Sequence, residues 1–78
     1  MYILRSLIDN GHYTGFTNNI DRRLIQHNNG KNYSTKIRRP WILIHVEFAE
    51  NRVEARKLEK YFKSGSGREI IKEIELTI

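Results

Sequence analysis

The sequence predicts a single α+β domain whose elements follow the order β-β-α-β-α-α. Two short runs of strand-forming residues flank the turn sequence Asp9-Asn10-Gly11, which is typical of a β-hairpin. Apolar residues recur at helical spacing on both sides of a third strand-like run at residues 41–48. The chain has 78 residues and no cysteine, so residues 1–78 should form one domain that depends on core packing rather than on disulfides.

The hairpin comprises a first strand at residues 2–8 and a second strand at residues 12–17. Its register depends on the length of the connecting loop, and two registers remain open. A two-residue turn places Ile8 opposite Tyr13, whereas a longer loop places Leu4 opposite Tyr13. Both registers put Tyr2 and Tyr13 on the same face of the sheet. Only the longer loop brings the two rings within diagonal reach.

A helix is expected at about residues 19–29. Asn18 is a suitable N-cap, and Gly30 is a natural C-terminal stop. Arg23 and His27 are one helical turn apart, so they lie together on the flank of the apolar line of this helix.

Residues 30–39 have no convincing periodicity and predict a surface loop. The segment is strongly basic, and we expect it to contact the phosphate backbone of a nucleic acid. We call it the basic segment; its cationic residues are Lys31, Lys36, Arg38 and Arg39.

The third strand, at residues 41–48, is apolar almost without interruption, which is typical of a strand in the middle of a sheet. Alternation along it predicts one shared face for Ile42, Ile44, Val46 and Phe48.

A second long helix should begin after Asn51, which forms a capping-box-like pair with Glu54. Its apolar stripe contains one carboxylate, Glu59. A third, short helix is expected from about Arg68, and the ending of residues 74–78 is left open because they alternate like a strand.

Charge is the clearest functional signal in the composition. Fourteen basic and nine acidic residues give a net charge of +5 at pH 7, which favours a polyanionic partner, although basic charge alone also fits a role in solubility. The lack of cysteine excludes thiol catalysis and a cysteine-based zinc site. No apolar run is long enough to span a bilayer, so we expect a cytoplasmic protein without a membrane partner.

Individual residues have ordinary structural explanations as well. A carboxylate in an apolar stripe needs a partner, so Glu59 would bind a divalent metal or form a salt bridge with Arg23 or a lysine, and helix position alone favours the salt bridge. In isolation, Tyr2 and Tyr13 fit core aromatics with exposed hydroxyl groups, and His27 fits the rim of a helix.

The spacing of these residues along the whole chain resembles the GIY-YIG nuclease family. The resemblance is closest to small stand-alone bacterial members, which are similar to the N-terminal nuclease domain of the excision-repair enzyme UvrC. It extends from Tyr2 to about Arg68. The matching segments are Tyr2-Ile3-Leu4, Tyr13-Thr14-Gly15, Asn18-Asn19-Ile20-Asp21-Arg22-Arg23-Leu24 with His27, Glu54-Ala55-Arg56-Lys57-Leu58-Glu59-Lys60 and Lys63-Ser64-Gly65.

The resemblance implies a three-stranded antiparallel sheet flanked by helices, with an Mg²⁺- or Mn²⁺-dependent endonuclease site for DNA, used in repair or recombination. The implied catalytic residues are Tyr2, Tyr13, Arg23, His27 and Glu59. Glu59 would bind the metal, and Lys63 would join the basic segment in binding DNA. A protein partner would supply specificity, since so small a domain has little surface for reading bases.

The alternative is a nucleic-acid-binding or adaptor domain with the same fold and little or no catalysis. Phe16 makes it plausible, because relatives usually carry a polar residue at that position.

Overall fold

The computed structural model describes residues 1–77. It contains one three-stranded antiparallel sheet in the order β2-β1-β3, with helices packed against it. The α+β class and the predicted order of the elements are confirmed, with one short helix in addition. The elements are β1 (Tyr2–Ser6), β2 (His12–Gly15), α1 (Ile20–Asn28), α2 (Tyr33–Lys36), β3 (Trp41–Val46), α3 (Arg52–Lys63) and α4 (Gly65–Leu76).

The hairpin adopts the register of the longer loop. Leu4 pairs with Tyr13, and Tyr2 pairs with Gly15. The first strand ends at Ser6, two residues before the predicted end, because the chain turns there. The Ser6 amide donates to the Gly11 carbonyl at 2.8 Å, and the intervening residues form the loop.

The prediction that the third strand occupies the middle of the sheet is wrong, since β1 is the central strand. Strand β1 is buried on both faces: Tyr2, Ile3 and Leu4 are each at most 2% exposed. Apolar continuity did not distinguish the two strands, because β1 is as apolar as β3 at these positions.

A β-bulge also changes the predicted face of β3. Ile3 pairs with His45 and Leu4 pairs with Leu43, which leaves Ile44 as the extra residue. Beyond the bulge, Val46 therefore pairs with Tyr2 on the opposite face from Ile44. The strand ends at Val46, and Phe48, predicted to share one face with Ile44, lies beyond the strand and is 95% exposed.

Helix α1 begins one residue later than predicted, because Asn19 rather than Asn18 accepts the Arg22 amide as the N-cap. Gly30 follows the helix with φ of 74°, as expected for its C-terminal stop. The predicted loop of the basic segment contains the one-turn helix α2, whose N-cap is Asn32.

Helix α3 begins after Asn51, whose side chain accepts the Glu54 amide as predicted. Helix α4 begins at Gly65 rather than near Arg68, and it is 12 residues long rather than short. Ser64 ends α3 and caps α4 through the Gly67 amide. The sequence leaves the ending of residues 74–78 open. Residues 74–76 belong to helix α4, and residue 78 lies outside the described residues.

The sheet separates two apolar clusters. The face covered by α3 and α4 holds Met1, Ile3, Ile44, Phe62 and Ile71. The face covered by α1 holds Tyr2, Leu4 and Trp41, with Tyr13, Ile20 and Leu24 packed around them. Among residues 1–77, no helix has the length and apolar character needed to cross a membrane.

Gly67 allows the close approach of α4 to α3. A Cβ atom at this position would collide with the Tyr61 carbonyl oxygen and the Phe62 Cα. We expect Gly67→Ala to destabilise the domain by about 1–3 kcal/mol, because backbone atoms cannot move aside as side chains can. For a domain of this size, each kcal/mol lowers the melting temperature by about 4–8 °C.

Gly65→Ala is the matched control, because a Cβ at Gly65 meets nothing within 4 Å and alanine is the better helix former. Its melting temperature should equal or exceed that of the wild type. Equal losses in the two variants would contradict the packing described for Gly67.

Candidate active site

A buried hydrogen bond joins the sheet to α1. The Tyr2 hydroxyl lies 2.9 Å from Nε2 of His27, and the two residues are 2% and 0% exposed. Tyr2 is fixed by the central strand and His27 by the last turn of α1. Two residues 25 positions apart in sequence therefore meet where the sheet and the helix pack together.

The other ring nitrogen of His27 is also bonded. Nδ1 lies 2.8 Å from Oγ1 of Thr35 in α2, and this hydroxyl donates to the Asn32 carbonyl at 3.3 Å. The Trp41 indole N–H donates to the Thr35 carbonyl at 3.0 Å, which attaches α2 to β3. The imidazole is thus held at both nitrogens in a site without solvent exposure.

Tyr13 completes an aromatic cluster with Tyr2 and His27. Its ring centroid is 6.2 Å from that of Tyr2 and 4.9 Å from that of His27. Gly15 makes room for the cluster, because a Cβ there would lie 2.8 Å from the Tyr2 hydroxyl oxygen and 3.1 Å from Cε1 of Tyr13. The glycine opposite Tyr2 is therefore a steric requirement of the site.

Two opposite charges act on the Tyr2 phenol. Burial raises the pKa of Tyr2, Tyr13 and Glu59 raise it further, and the Arg23 guanidinium opposes the rise. Burial, followed by the charge of Arg23, lowers the pKa of His27 below its ordinary value of 6.5. At neutral pH the phenol is therefore protonated, and the imidazole is neutral, with one of its two hydrogen-bonded nitrogens unprotonated.

Arg23 borders two shallow concavities of about 280 and 260 Å³. The first is shared with Asn18 near the start of α1, and the second with Lys31 at the start of the basic segment. Arg23 consequently lies on a polar surface that continues from the helix start to the basic segment.

Glu59 accepts a hydrogen bond from Lys63 at 2.7 Å, one helical turn away. This is the lysine salt bridge considered from the sequence, but the pair does not exclude metal binding. The side chains of Glu59 and Lys63 are 24% and 57% exposed, so the ammonium can be displaced. Within residues 1–77 no three His, Cys, Asp or Glu side chains form a group that could hold a metal ion.

The residues of the basic segment have different surroundings. Lys31, Lys36 and Arg39 are exposed. Arg38, in contrast, pairs with Asp9 at 2.9 Å and lies 5.0 Å from the centre of the Trp41 ring. The Arg38 hydrogen bond is the main reason that the pKa of Asp9 falls to about 2. Arg38 therefore fastens the basic segment to the hairpin loop as well as adding positive charge.

The structure brings Tyr2, Tyr13 and His27 into one cluster and places Arg23 and Glu59 within electrostatic reach of it. The motif spacing also predicts that all five line one solvent-accessible concavity, but His27 is 0% exposed, and the cavity that Tyr2 borders differs from the two that Arg23 borders.

Sequence reasoning missed Asn28 and Thr35. The Asn28 amide donates to the Trp41 carbonyl at 3.1 Å, and its oxygen accepts the Trp41 amide at 2.6 Å. Thr35 could have been noticed from Asn32, a helix-capping residue three positions earlier.

Comparison with known proteins identifies the family. The family model of the GIY-YIG catalytic domain matches residues 1–72. Because this is nearly the entire sequence, the chain belongs to the GIY-YIG nuclease family, and the resemblance seen in its motifs is confirmed.

Several similar bacterial proteins carry the family label UPF0213. A UPF0213 protein of Staphylococcus haemolyticus is 40% identical over 68 residues, covering 86% of this chain and 83% of that protein. One from Clostridium perfringens is 44% identical over 64 residues, covering 81% and 68%. The UPF0213 protein YazA of Bacillus subtilis is 45% identical over 56 residues, covering 70% and 57%. No solved structure matches the chain significantly.

The buried, neutral His27 predicts a specific pH dependence of stability. Its folded-state pKa is depressed, so the unfolded chain binds more protons once the pH falls below 6.5. The stability contributed by neutral His27 is present above that value and is lost as the pH falls through the folded-state pKa. Lowering the pH from about 7.5 to about 5.5 should therefore lower the melting temperature of the wild type.

His27→Gln removes the titrating group, so the melting temperature of this variant should change less over the same pH range. The comparison uses the slope of melting temperature against pH, which separates titration from any uniform loss of stability. Identical slopes for the two proteins would show that His27 is not held neutral by its surroundings.

Proposed function

We propose that this protein is an endonuclease that hydrolyses DNA phosphodiester bonds with the help of Mg²⁺ or Mn²⁺. The observation that carries the proposal is the hydrogen bond between the buried Tyr2 phenol and neutral His27, with Arg23 and Glu59 acting on the same phenol. Membership of the GIY-YIG family supports the reaction class. In this proposal the catalytic residues are Tyr2, Tyr13, Arg23, His27 and Glu59.

Tyr2 activates the attacking water. The raised pKa keeps the Tyr2 phenol protonated at neutral pH, so the phenol cannot act as a base unless its own proton leaves. The hydrogen bond with His27 supplies an acceptor for that proton. As the phenol oxygen takes a proton from water, its own proton passes to Nε2 of His27. Tyr2 borders a cavity of about 350 Å³ together with Phe16 and Ile20, and water would approach the phenol from this side.

Arg23 makes this proton transfer depend on substrate. Its positive charge is one of the two causes that lower the pKa of His27. When the scissile phosphate pairs with Arg23, that charge is neutralised, and an imidazolium beside it becomes less costly. Arg23 also stabilises the negative charge that develops on the phosphate oxygens. Tyr13, which contacts both Tyr2 and His27, orients the water.

Glu59 is the protein ligand for the divalent ion. Its partly exposed carboxylate already holds a cation, the ammonium of Lys63, and oxygen ligands suit hard divalent ions. Because the described residues offer no group of three such ligands, water and phosphate oxygens would complete the coordination, as is usual for Mg²⁺. A divalent ion held by Glu59 would supply charge stabilisation during phosphodiester cleavage. Lys63, displaced from Glu59, would then join the residues that contact DNA.

Lys31, Lys36 and Arg39 bind the phosphate backbone without reading bases, since they are exposed and carry positive charge. Arg38 contributes charge from its fixed position beside Trp41. We assign the enzyme to cytoplasmic DNA repair or recombination, with specificity supplied by a protein partner.

The second candidate is a DNA-binding adaptor with the same fold. It is favoured by Phe16, which borders the cavity beside Tyr2 and offers no polar group there. An adaptor would bind DNA through the same basic surface, so binding does not separate the two functions. Metal-dependent nicking of a supercoiled plasmid does.

Glu59→Gln should abolish metal-dependent nicking while leaving DNA binding and folding intact. The amide keeps the shape of the side chain but loses the charge that a divalent ion needs. Loss of several kcal/mol of transition-state stabilisation should reduce the nicking rate by at least about 10³-fold. Stability should change by no more than about 0.5 kcal/mol, because the Lys63 pair is of the surface i,i+4 type.

Glu50→Gln removes the same charge from an exposed position outside the ion pairs found among residues 1–77, and it should nick at the wild-type rate. Both variants gain the same net charge, so any general increase in DNA affinity is matched. Wild-type nicking by Glu59→Gln, or its failure to fold, would assign Glu59 a structural role instead.

A further inference from the structure

We propose that Thr35 is a positioning residue that sets the tautomer of His27, so that Nε2 faces Tyr2 as a proton acceptor. The inference rests on the function proposed above and adds a residue outside the five catalytic ones. Thr35 is 1% exposed, and its hydroxyl lies 2.8 Å from Nδ1 of His27.

Counting hydrogens selects the tautomer. Three hydrogens need acceptors: those of the Thr35 hydroxyl, the Tyr2 hydroxyl and the single N–H of neutral His27. If Nδ1 carries the proton, it donates to Thr35, Thr35 donates to the Asn32 carbonyl at 3.3 Å, and Tyr2 donates to Nε2. Every hydrogen then has an acceptor.

The other tautomer satisfies the same groups less well. With the proton on Nε2, His27 donates to Tyr2, and Thr35 must turn its hydrogen from the Asn32 carbonyl to Nδ1. The Tyr2 hydrogen must then turn to the neighbouring Tyr13 hydroxyl, which is not held against Tyr2 as Nε2 is at 2.9 Å. A buried hydroxyl hydrogen would exchange a short hydrogen bond for a weaker one, which is costly.

The backbone of Thr35 is held independently of His27. Its carbonyl accepts the Trp41 indole N–H at 3.0 Å, and its amide donates to the Asn32 carbonyl at 3.2 Å. The hydroxyl is therefore presented to His27 by a fixed turn of helix rather than by a mobile loop. The same turn carries exposed Lys36, so the segment that binds DNA also positions the proton acceptor.

Among the groups around His27, Thr35 is the one that decides which ring nitrogen carries the proton. The titratable and charged groups that act on the ring are Tyr2 from β1, Tyr13 from β2 and Arg23 from α1. Tyr2 meets Nε2, and Arg23 has no acceptor for a ring N–H. A hydrogen-bond acceptor for Nδ1–H is supplied by Thr35.

The ring nitrogens of His27 report the tautomer directly in long-range proton–nitrogen correlation spectra of nitrogen-15-labelled protein at neutral pH. The His27 signals are assigned by their disappearance in His27→Gln. We expect a protonated Nδ1 and an unprotonated Nε2 in the wild type and in Thr35→Ser, which keeps the hydroxyl. Thr35→Val keeps the shape but not the hydroxyl, and it should shift the ring toward the form protonated at Nε2.

The nicking assay gives the second readout. Thr35→Val should lower kcat at least about tenfold without weakening DNA binding, and Thr35→Ser should recover most of the rate. A wild-type protein protonated at Nε2, or an unchanged tautomer in Thr35→Val, would overturn the inference even if Thr35→Val is less stable. The spectra need no activity, so a wild type that does not nick DNA would refute the proposed function and leave the tautomer result intact.

Discussion

The hydrogen bond between Tyr2 and His27 is the interaction on which the rest of the site depends. It requires the central strand to be buried on both faces, a glycine opposite Tyr2, and the last turn of α1 packed against the sheet. Because no solvent reaches His27, the ring stays neutral and keeps a lone pair for the phenol. A group that would be a poor base in water thereby obtains a proton acceptor beside it.

This small domain uses the same contacts for folding and for the site. Asp9 in the hairpin loop pairs with Arg38, Arg38 lies over Trp41, and Trp41 bonds to Thr35, which meets His27. A chain of this size has little core to spare, so polar contacts rather than additional apolar layers fix the basic segment to the sheet. The surface proposed to bind DNA is consequently rigid where it meets the site and exposed at its lysines.

Local sequence signals predicted the helices and the hairpin, because caps and turn residues act over a few positions: Asn51 starts α3, and Gly30 follows α1, as expected. The strand order was mispredicted because burial on both faces depends on tertiary packing. The bulge at Ile44 is likewise a tertiary effect. The early start of α4 follows a local cap, Ser64, which sequence reasoning missed. The candidate site came from motif spacing, whereas the contact between Thr35 and His27, eight positions apart, depends on how α2 packs against α1.

The most direct test of the central claim, that the Tyr2 phenol activates water by passing its proton to His27, is the single-turnover nicking rate of Tyr2→Phe with Mg²⁺. The ring remains over Gly15 and only the hydroxyl is lost, so DNA binding should persist while the rate falls by about 10²–10⁴. Tyr61→Phe removes a hydroxyl from α3, outside the aromatic cluster, and should keep the wild-type rate. A folded Tyr2→Phe protein that nicks as fast as the wild type would contradict the account.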